Sequence, residues 1–137
     1  MAQNKDTKLL NAALIFYIVI VAVYGVLFLL FPQLLAEASG GKPVASSWLR
    51  WPGGVLIALG IGAVLVYRNP SKQDAFVVAI TLGTLFAGLA LLYSLLFEMT
   101  GVIWFTALPV IVLLTSSVLL WFGRKQAKDI LCPKKKE

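Results

Sequence analysis

The sequence contains no histidine and only one cysteine, Cys132. A chain without histidine lacks the commonest metal ligand, the usual axial ligand of haem and the usual general base at neutral pH. A single cysteine excludes an intramolecular disulfide and a CxxC redox pair. Neither a Ser/His/Asp constellation nor a glycine-rich phosphate-binding loop occurs. We therefore expect no metal, no cofactor and no conventional set of catalytic residues.

Charged residues are scarce as well. They make up 13% of the 137 residues, whereas an average soluble domain has about 25%. Hydrophobic residues make up 60%, and the mean hydropathy is +0.90. Four runs reach the roughly 18 apolar residues that mark a membrane-spanning helix, namely 9–31, 48–67, 75–97 and 102–122. We expect an all-α protein, one domain over residues 1–137, folded as an antiparallel four-helix transmembrane bundle.

The positive charges are unequally distributed between the two ends of these predicted helices. Two of them, Lys42 and Arg50, lie at one end, and ten lie at the other: Lys5, Lys8, Arg68, Lys72, Arg124, Lys125, Lys128, Lys134, Lys135 and Lys136. Because Lys and Arg accumulate on the cytoplasmic side of a membrane, both termini and the basic tail 123–137 are predicted to be cytoplasmic. The net charge of +6 does not indicate nucleic acid, since no basic groove with interleaved aromatics is present.

Two rows of small residues recur at intervals of four in the second and third runs. Small residues let two helix backbones approach closely in lipid, where packing holds helices together. We predict that the second and third helices pack through these rows, which are Gly54, Ala58 and Gly62, and Ala79, Gly83 and Ala87. Close packing is a commoner role for such rows than a transport pathway.

Arg50 and Glu98 are the charged pair that this arrangement would bring together. At about 100° per residue, Glu98 projects within about 20° of Ala87, and Arg50 begins the second run at the same predicted end. Charges near lipid pair, face a cavity or reach the headgroups. The pair could be an interfacial salt bridge, with Glu37 as a competing partner, or Arg50 could hold a lipid phosphate. A functional anion or headgroup site at the mouth of the bundle is the alternative.

Tyrosines lie on the same half of the predicted bundle. Tyr17 and Tyr24 are seven residues apart on the first helix and therefore share a face. Together with Tyr93 and Ser94 they could line a pocket, although aromatic side chains more commonly serve ordinary packing. The candidate ligand or headgroup residues are accordingly Arg50, Glu98, Tyr93, Tyr24 and Ser94.

The C-terminal tail combines lysines with Cys132. Basic residues beside a membrane are attracted to anionic lipid, and a cysteine next to a membrane helix is a possible palmitoylation site. The first property is common among membrane proteins, and the sequence does not decide on the second.

The second run, WLRWPGGVLIALGIGAVLVYRNP over residues 48–70, resembles the DoxX-like four-helix membrane proteins. Those proteins commonly show an arginine, a Gly-Gly pair and a small-residue helix at their second span. The hydrophobic layout of residues 9–122 is also similar to theirs. The resemblance implies a multi-pass protein of a bacterial-type inner membrane. Some members are described as subunits of quinone-linked oxidoreductases, but this sequence has no redox site that would carry that activity over.

Three functions remain open at this point. The leading hypothesis is a non-enzymatic small membrane protein, either an accessory subunit of a larger complex or a binder of lipid or another hydrophobic ligand. The second is a small oligomeric transporter or channel with Glu98, Tyr93 and Tyr24 along its path. The third is a lipid- or quinone-linked membrane enzyme. The expected partners are membrane lipids and a larger membrane complex or further copies of the chain.

Overall fold

The computed structural model describes residues 7–40, 47–98 and 103–133, without the side chains of residues 47–49, 98 and 105. This part of the chain is entirely helical: α1 (Lys8–Leu30), α2 (Pro32–Ala38), α3 (Ser47–Arg68), α4 (Asp74–Tyr93) with a π-helical turn (Ser94–Glu98), α5 (Ile103–Gln126) and α6 (Lys128–Leu131). Four of these helices are long and apolar enough to cross a membrane. The predicted helical class and its four candidate membrane spans are confirmed.

Two prolines have different effects on the helices: Pro32 marks a helix boundary, whereas Pro52 lies inside a helix. Phe31 separates α1 from α2, and Pro32 occupies the start of α2, where its missing N–H has no intrahelical role. Pro52, by contrast, lies inside α3, which begins at Ser47 and continues through it. A proline in an early turn removes one backbone hydrogen bond without ending the helix.

The third long helix changes its winding near its end. α4 begins at Asp74, whose carboxylate suits the positive end of the helix dipole. After Tyr93 the chain forms the π-helical turn Ser94–Glu98, in which each hydrogen bond spans one more residue than in an α-helix. The regular 100° step used to predict the direction of Glu98 therefore ends at Tyr93, and the alignment of Glu98 with Ala87 stays a prediction because the side chain of Glu98 lies outside the described atoms.

Helix α1 is the centre of the packing. It contacts α3 and α5, and α4 packs mainly against α5, whereas α3 and α4 touch each other far less. The core consists of buried residues from all of these helices, namely Leu10, Ala13, Leu14, Tyr17, Val21, Ala63, Val66, Val77, Ile80, Leu120, Ala127 and Leu131. The tail predicted from residue 123 onward is thus partly a structural element, because α5 extends to Gln126 and α6 buries Leu131.

Glycines permit the closest helix contacts, and Gly62, which packs against Phe76 of α4, is the member of the predicted rows that makes one of them. A Cβ on Gly53 would lie 2.8 Å from the backbone nitrogen of Leu29 in α1, and a Cβ on Gly123 would lie 2.7 Å from the Cα of Leu10. Outside its own stretch of helix, no described atom lies within 4 Å of such a Cβ on Gly54 or Gly83. Within the described chain α3 therefore packs mainly on α1, and its predicted row meets α4 at Gly62 but not at Gly54.

Candidate ligand-binding site

Helices α3 and α4 touch each other little, and the residues that face each other between them are largely exposed. The sequence did not predict this side of the bundle, which we call the opening. The two helices meet where Phe76 of α4 packs against Gly62 of α3. This contact lies close to the end of the bundle where α1 and α4 begin and α3 and α5 end, which we call the basic end. Toward the opposite end, where α3 begins and the π-helical turn lies, the facing residues are exposed.

On α4, the predicted small-residue row forms one wall of this opening. Ala79, Gly83 and Ala87 lie within about 60° of Phe76 around the helix axis. They therefore lie on the helix face that turns toward α3, and all three are exposed. Ser94 comes eighteen residues after Phe76, which is about five complete helical turns. It therefore lies on the same face as Phe76, at the opposite end of the opening, and it is half-buried.

On α3, the opposite wall carries larger side chains. Trp51, Val55 and Ala58 lie within about 40° of Gly62 around the helix axis. All three are exposed, Trp51 to 63% and Val55 to 46%. The opening therefore has small residues on the α4 side and, on the α3 side, a bulky aromatic side chain near the beginning of α3.

Tyr24 of α1 is another candidate residue that faces the interior. It lies within about 20° of the buried Tyr17 around the helix axis, so both tyrosines face the interior, as predicted from their spacing. Tyr24 is nevertheless only half-buried, and its ring lies 6.2 Å from that of Phe28. An interior-facing tyrosine that keeps some exposure is consistent with a gap between α3 and α4 at this level.

The other candidate residues do not gather into one site. Tyr93 is exposed and stacks with Phe97 at 4.9 Å between ring centres, on a face of α4 about 100° from that of Phe76. Arg50 is exposed at the beginning of α3. The side chain of Glu98 lies outside the described atoms, so its pairing with Arg50 stays a prediction.

A buried layer of hydroxyl groups crosses the interior. Thr81 and Thr84 donate to backbone carbonyls one turn earlier in α4, and the Ser117 hydroxyl of α5 donates to the carbonyl of Thr81 at 3.2 Å. The Tyr17 side chain interacts with that of Thr84. Ser116 is fully buried, and its hydroxyl has no hydrogen-bond partner among the described residues. This layer joins α1, α4 and α5 by polar contacts.

The strongest polar contact lies at the basic end. Arg124 of α5 donates from Nε and Nη2 to the two carboxylate oxygens of Asp74 at 2.7 and 2.8 Å, and both side chains are about four-fifths buried. Sequence reasoning missed this pair. A signal was available, because an acid that begins one helix and a cation that ends the next one meet when the two helices are antiparallel.

The fold and the site together define a class of protein: an all-helical chain with four candidate membrane spans and a lateral opening between two of them. No protein-family model, no curated protein and no solved structure matches the chain. The function has to be inferred from the geometry itself.

Proposed function

We propose that this chain is a non-enzymatic membrane protein that binds a lipid chain or another elongated hydrophobic ligand in the opening between α3 and α4. The main observation behind this proposal is the exposed row Ala79, Gly83 and Ala87, which lies on the face of α4 that turns toward α3. In lipid, small residues leave a shallow channel that an acyl or isoprenoid chain can fill by van der Waals contact.

The two ends of the opening suit the two parts of such a ligand. Phe76 against Gly62 closes it toward the basic end, so a chain can extend only toward the opposite end. There, Ser94 and the exposed Arg50 offer a hydroxyl and a cation for a polar headgroup. The proposed membrane is of the bacterial inner type, with an antiparallel bundle and both termini in the cytoplasm.

Filling the opening tests this proposal. We expect Gly83→Leu to lower the amount of tightly bound ligand at least about fivefold, because the new side chain occupies the space of the ligand, whose contacts contribute more than about 1 kcal/mol. The measurement is native mass spectrometry of the protein extracted gently from its own membranes, with extraction and identification of the retained molecule.

Ala22→Leu is the matched control, since Ala22 is an exposed small residue of α1 that lies about 140° away from Tyr17 around the helix. It should retain the ligand. Equal retention in both variants would refute the opening as the site. A stoichiometric larger protein in place of a ligand would favour the accessory-subunit role instead.

The buried hydroxyl layer supports transport as a second candidate, because polar groups inside a membrane bundle can mark a path. Ser116 and Tyr17 are nearly inaccessible in this state, so transport would require the helices to move. Flux of an ion or solute through vesicles containing the purified protein would favour this candidate over ligand binding.

The proposed orientation can be checked with cysteine labelling. Native Cys132 is exposed at the basic end, and Gly40 follows α2 at the opposite end. We expect a membrane-impermeant thiol reagent to label Cys132 from the cytoplasmic side only, and Gly40→Cys in a Cys132→Ser background from the other side only. Labelling of both positions from one side would contradict the proposed topology.

A further inference from the structure

A cluster of two cations and two aromatic rings ends α5 at the basic end. The Arg124 Cζ atom lies 5.5 Å from the centre of the Trp121 ring, and the Lys125 Nζ atom lies 5.4 Å from the same centre. Lys125 also lies 5.9 Å from the centre of the Phe122 ring. Two cations are therefore held beside one indole by cation–π attraction. We call these four residues the Trp121 cluster.

The charge of this cluster is only partly neutralised. Asp74 takes two donors of Arg124 and leaves the other N–H groups of the guanidinium without a carboxylate. Lys125 forms no ion pair within the described part of the chain. Asp129, four residues later, is exposed and lies on the separate short helix α6. The cluster thus keeps a net positive charge, which an external anion can neutralise.

The aromatic rings place this charge at a defined depth. Trp121 and Phe122 are 39% and 54% exposed near the end of a candidate membrane span. Tryptophan prefers the boundary between hydrocarbon and headgroups, and cations next to such rings lie at the level of the lipid phosphates. The indole N–H and the two cations then offer several donors near this boundary, which suits a phosphate oxygen.

We propose that the Trp121 cluster is a binding site for the phosphate of an anionic phospholipid in the leaflet at the basic end. This site is on α5 and is separate from the opening between α3 and α4, so either proposal can fail without the other. Arg124 is positioned by Asp74, and Lys125, which lies beside the Trp121 ring without an ion pair in the described chain, supplies the unneutralised charge for the headgroup.

Lipid titration of the full-length protein in detergent, followed by native mass spectrometry, tests the site. The probes are phosphatidylglycerol, which has a net negative charge, and phosphatidylcholine, which has the same phosphate but no net charge. We expect Lys125→Gln to weaken phosphatidylglycerol binding about fivefold, the equivalent of about 1 kcal/mol for one basic residue. Binding of phosphatidylcholine should be weaker in the wild type and little changed by the substitution.

Arg68→Gln is the matched control. Arg68 is exposed at the end of α3 and carries the same charge, but no ring lies beside it among the described contacts. General attraction of anionic lipid to a basic surface predicts equal losses for the two variants, and that result would refute the site. A loss confined to Lys125→Gln supports it.

The aromatic ring gives a test that leaves the charge unchanged. Trp121→Leu should weaken phosphatidylglycerol binding by about two- to fivefold, the range expected when an exposed cation–π contact is lost. An unchanged thermal unfolding curve would show that the variant is folded, and unchanged binding by that folded variant would overturn the role of the ring. If inorganic phosphate competes with phosphatidylglycerol at equal concentration, the cluster recognises a soluble anion and the lipid assignment is wrong.

Discussion

Replacing Gly53 with alanine is expected to lower the free energy of unfolding by about 1–3 kcal/mol, the usual cost of overpacking. The added Cβ would lie 2.8 Å from the backbone nitrogen of Leu29 and 3.0 Å from the carbonyl oxygen of Gly25. Both neighbours are backbone atoms of α1, which cannot rotate away as a side chain can. The two helices must therefore separate locally. Unfolding of the purified protein in detergent, followed by tryptophan fluorescence, measures the effect.

The adjacent glycine supplies an unusually close control. Gly54 differs from Gly53 by one position, and outside its own stretch of helix no described atom lies within 4 Å of a Cβ placed on it. Gly54→Ala should leave the stability unchanged or raise it by up to about 1 kcal/mol, the difference in helix propensity between the two residues. Equal shifts for both variants would mean that α3 does not meet α1 through Gly53.

Breaking the Asp74–Arg124 pair has the other large expected effect. Arg124→Gln should lower the free energy of unfolding by about 1–3 kcal/mol, because two charge-assisted hydrogen bonds are lost. Both side chains are only about 20% exposed, so water can replace these bonds only in part. The loss should persist at high salt, since screening acts mainly on exposed pairs.

A double-mutant cycle separates the pair from its surroundings. Combining Asp74→Asn with Arg124→Gln should cost less than the sum of the single changes, with a coupling energy of about 1–2 kcal/mol. Lys125→Gln removes the same charge one residue later, without an ion pair in the described chain, and should change the stability by less than about 0.5 kcal/mol. Additive effects of Asp74→Asn and Arg124→Gln would show that the two side chains do not interact.

Several features of the candidate site could be predicted from local spacing. Tyr17 and Tyr24 share the interior face of α1 because seven residues are nearly two complete turns. The small residues Ala79, Gly83 and Ala87 share a face of α4 for a similar reason. Such spacing specifies which side chains lie together on one helix. It does not specify what lies opposite that face.

Contacts between helices are what the sequence specified least. Rows of glycine and alanine favour close approach, but Gly54 meets no described atom of another helix, whereas Gly62 meets Phe76 of α4 and Gly53 meets α1. A glycine on either face of α3 has the same local signal, so the partner could not be chosen. The sequence also contained no sign of the π-helical turn Ser94–Glu98, which changes the winding on which the predicted direction of Glu98 depends.

The apolar runs and scarce charges by themselves determined that this chain is helical and has four segments able to span a membrane, because a backbone in hydrocarbon must satisfy its hydrogen bonds within each segment. Tertiary structure alone decided that α1 is the centre of the packing, that Asp74 pairs with Arg124 and that α3 and α4 touch each other little. These features depend on distances between residues far apart in the chain. In a chain whose helices are apolar on nearly every side, hydrophobic periodicity carries little information about those distances.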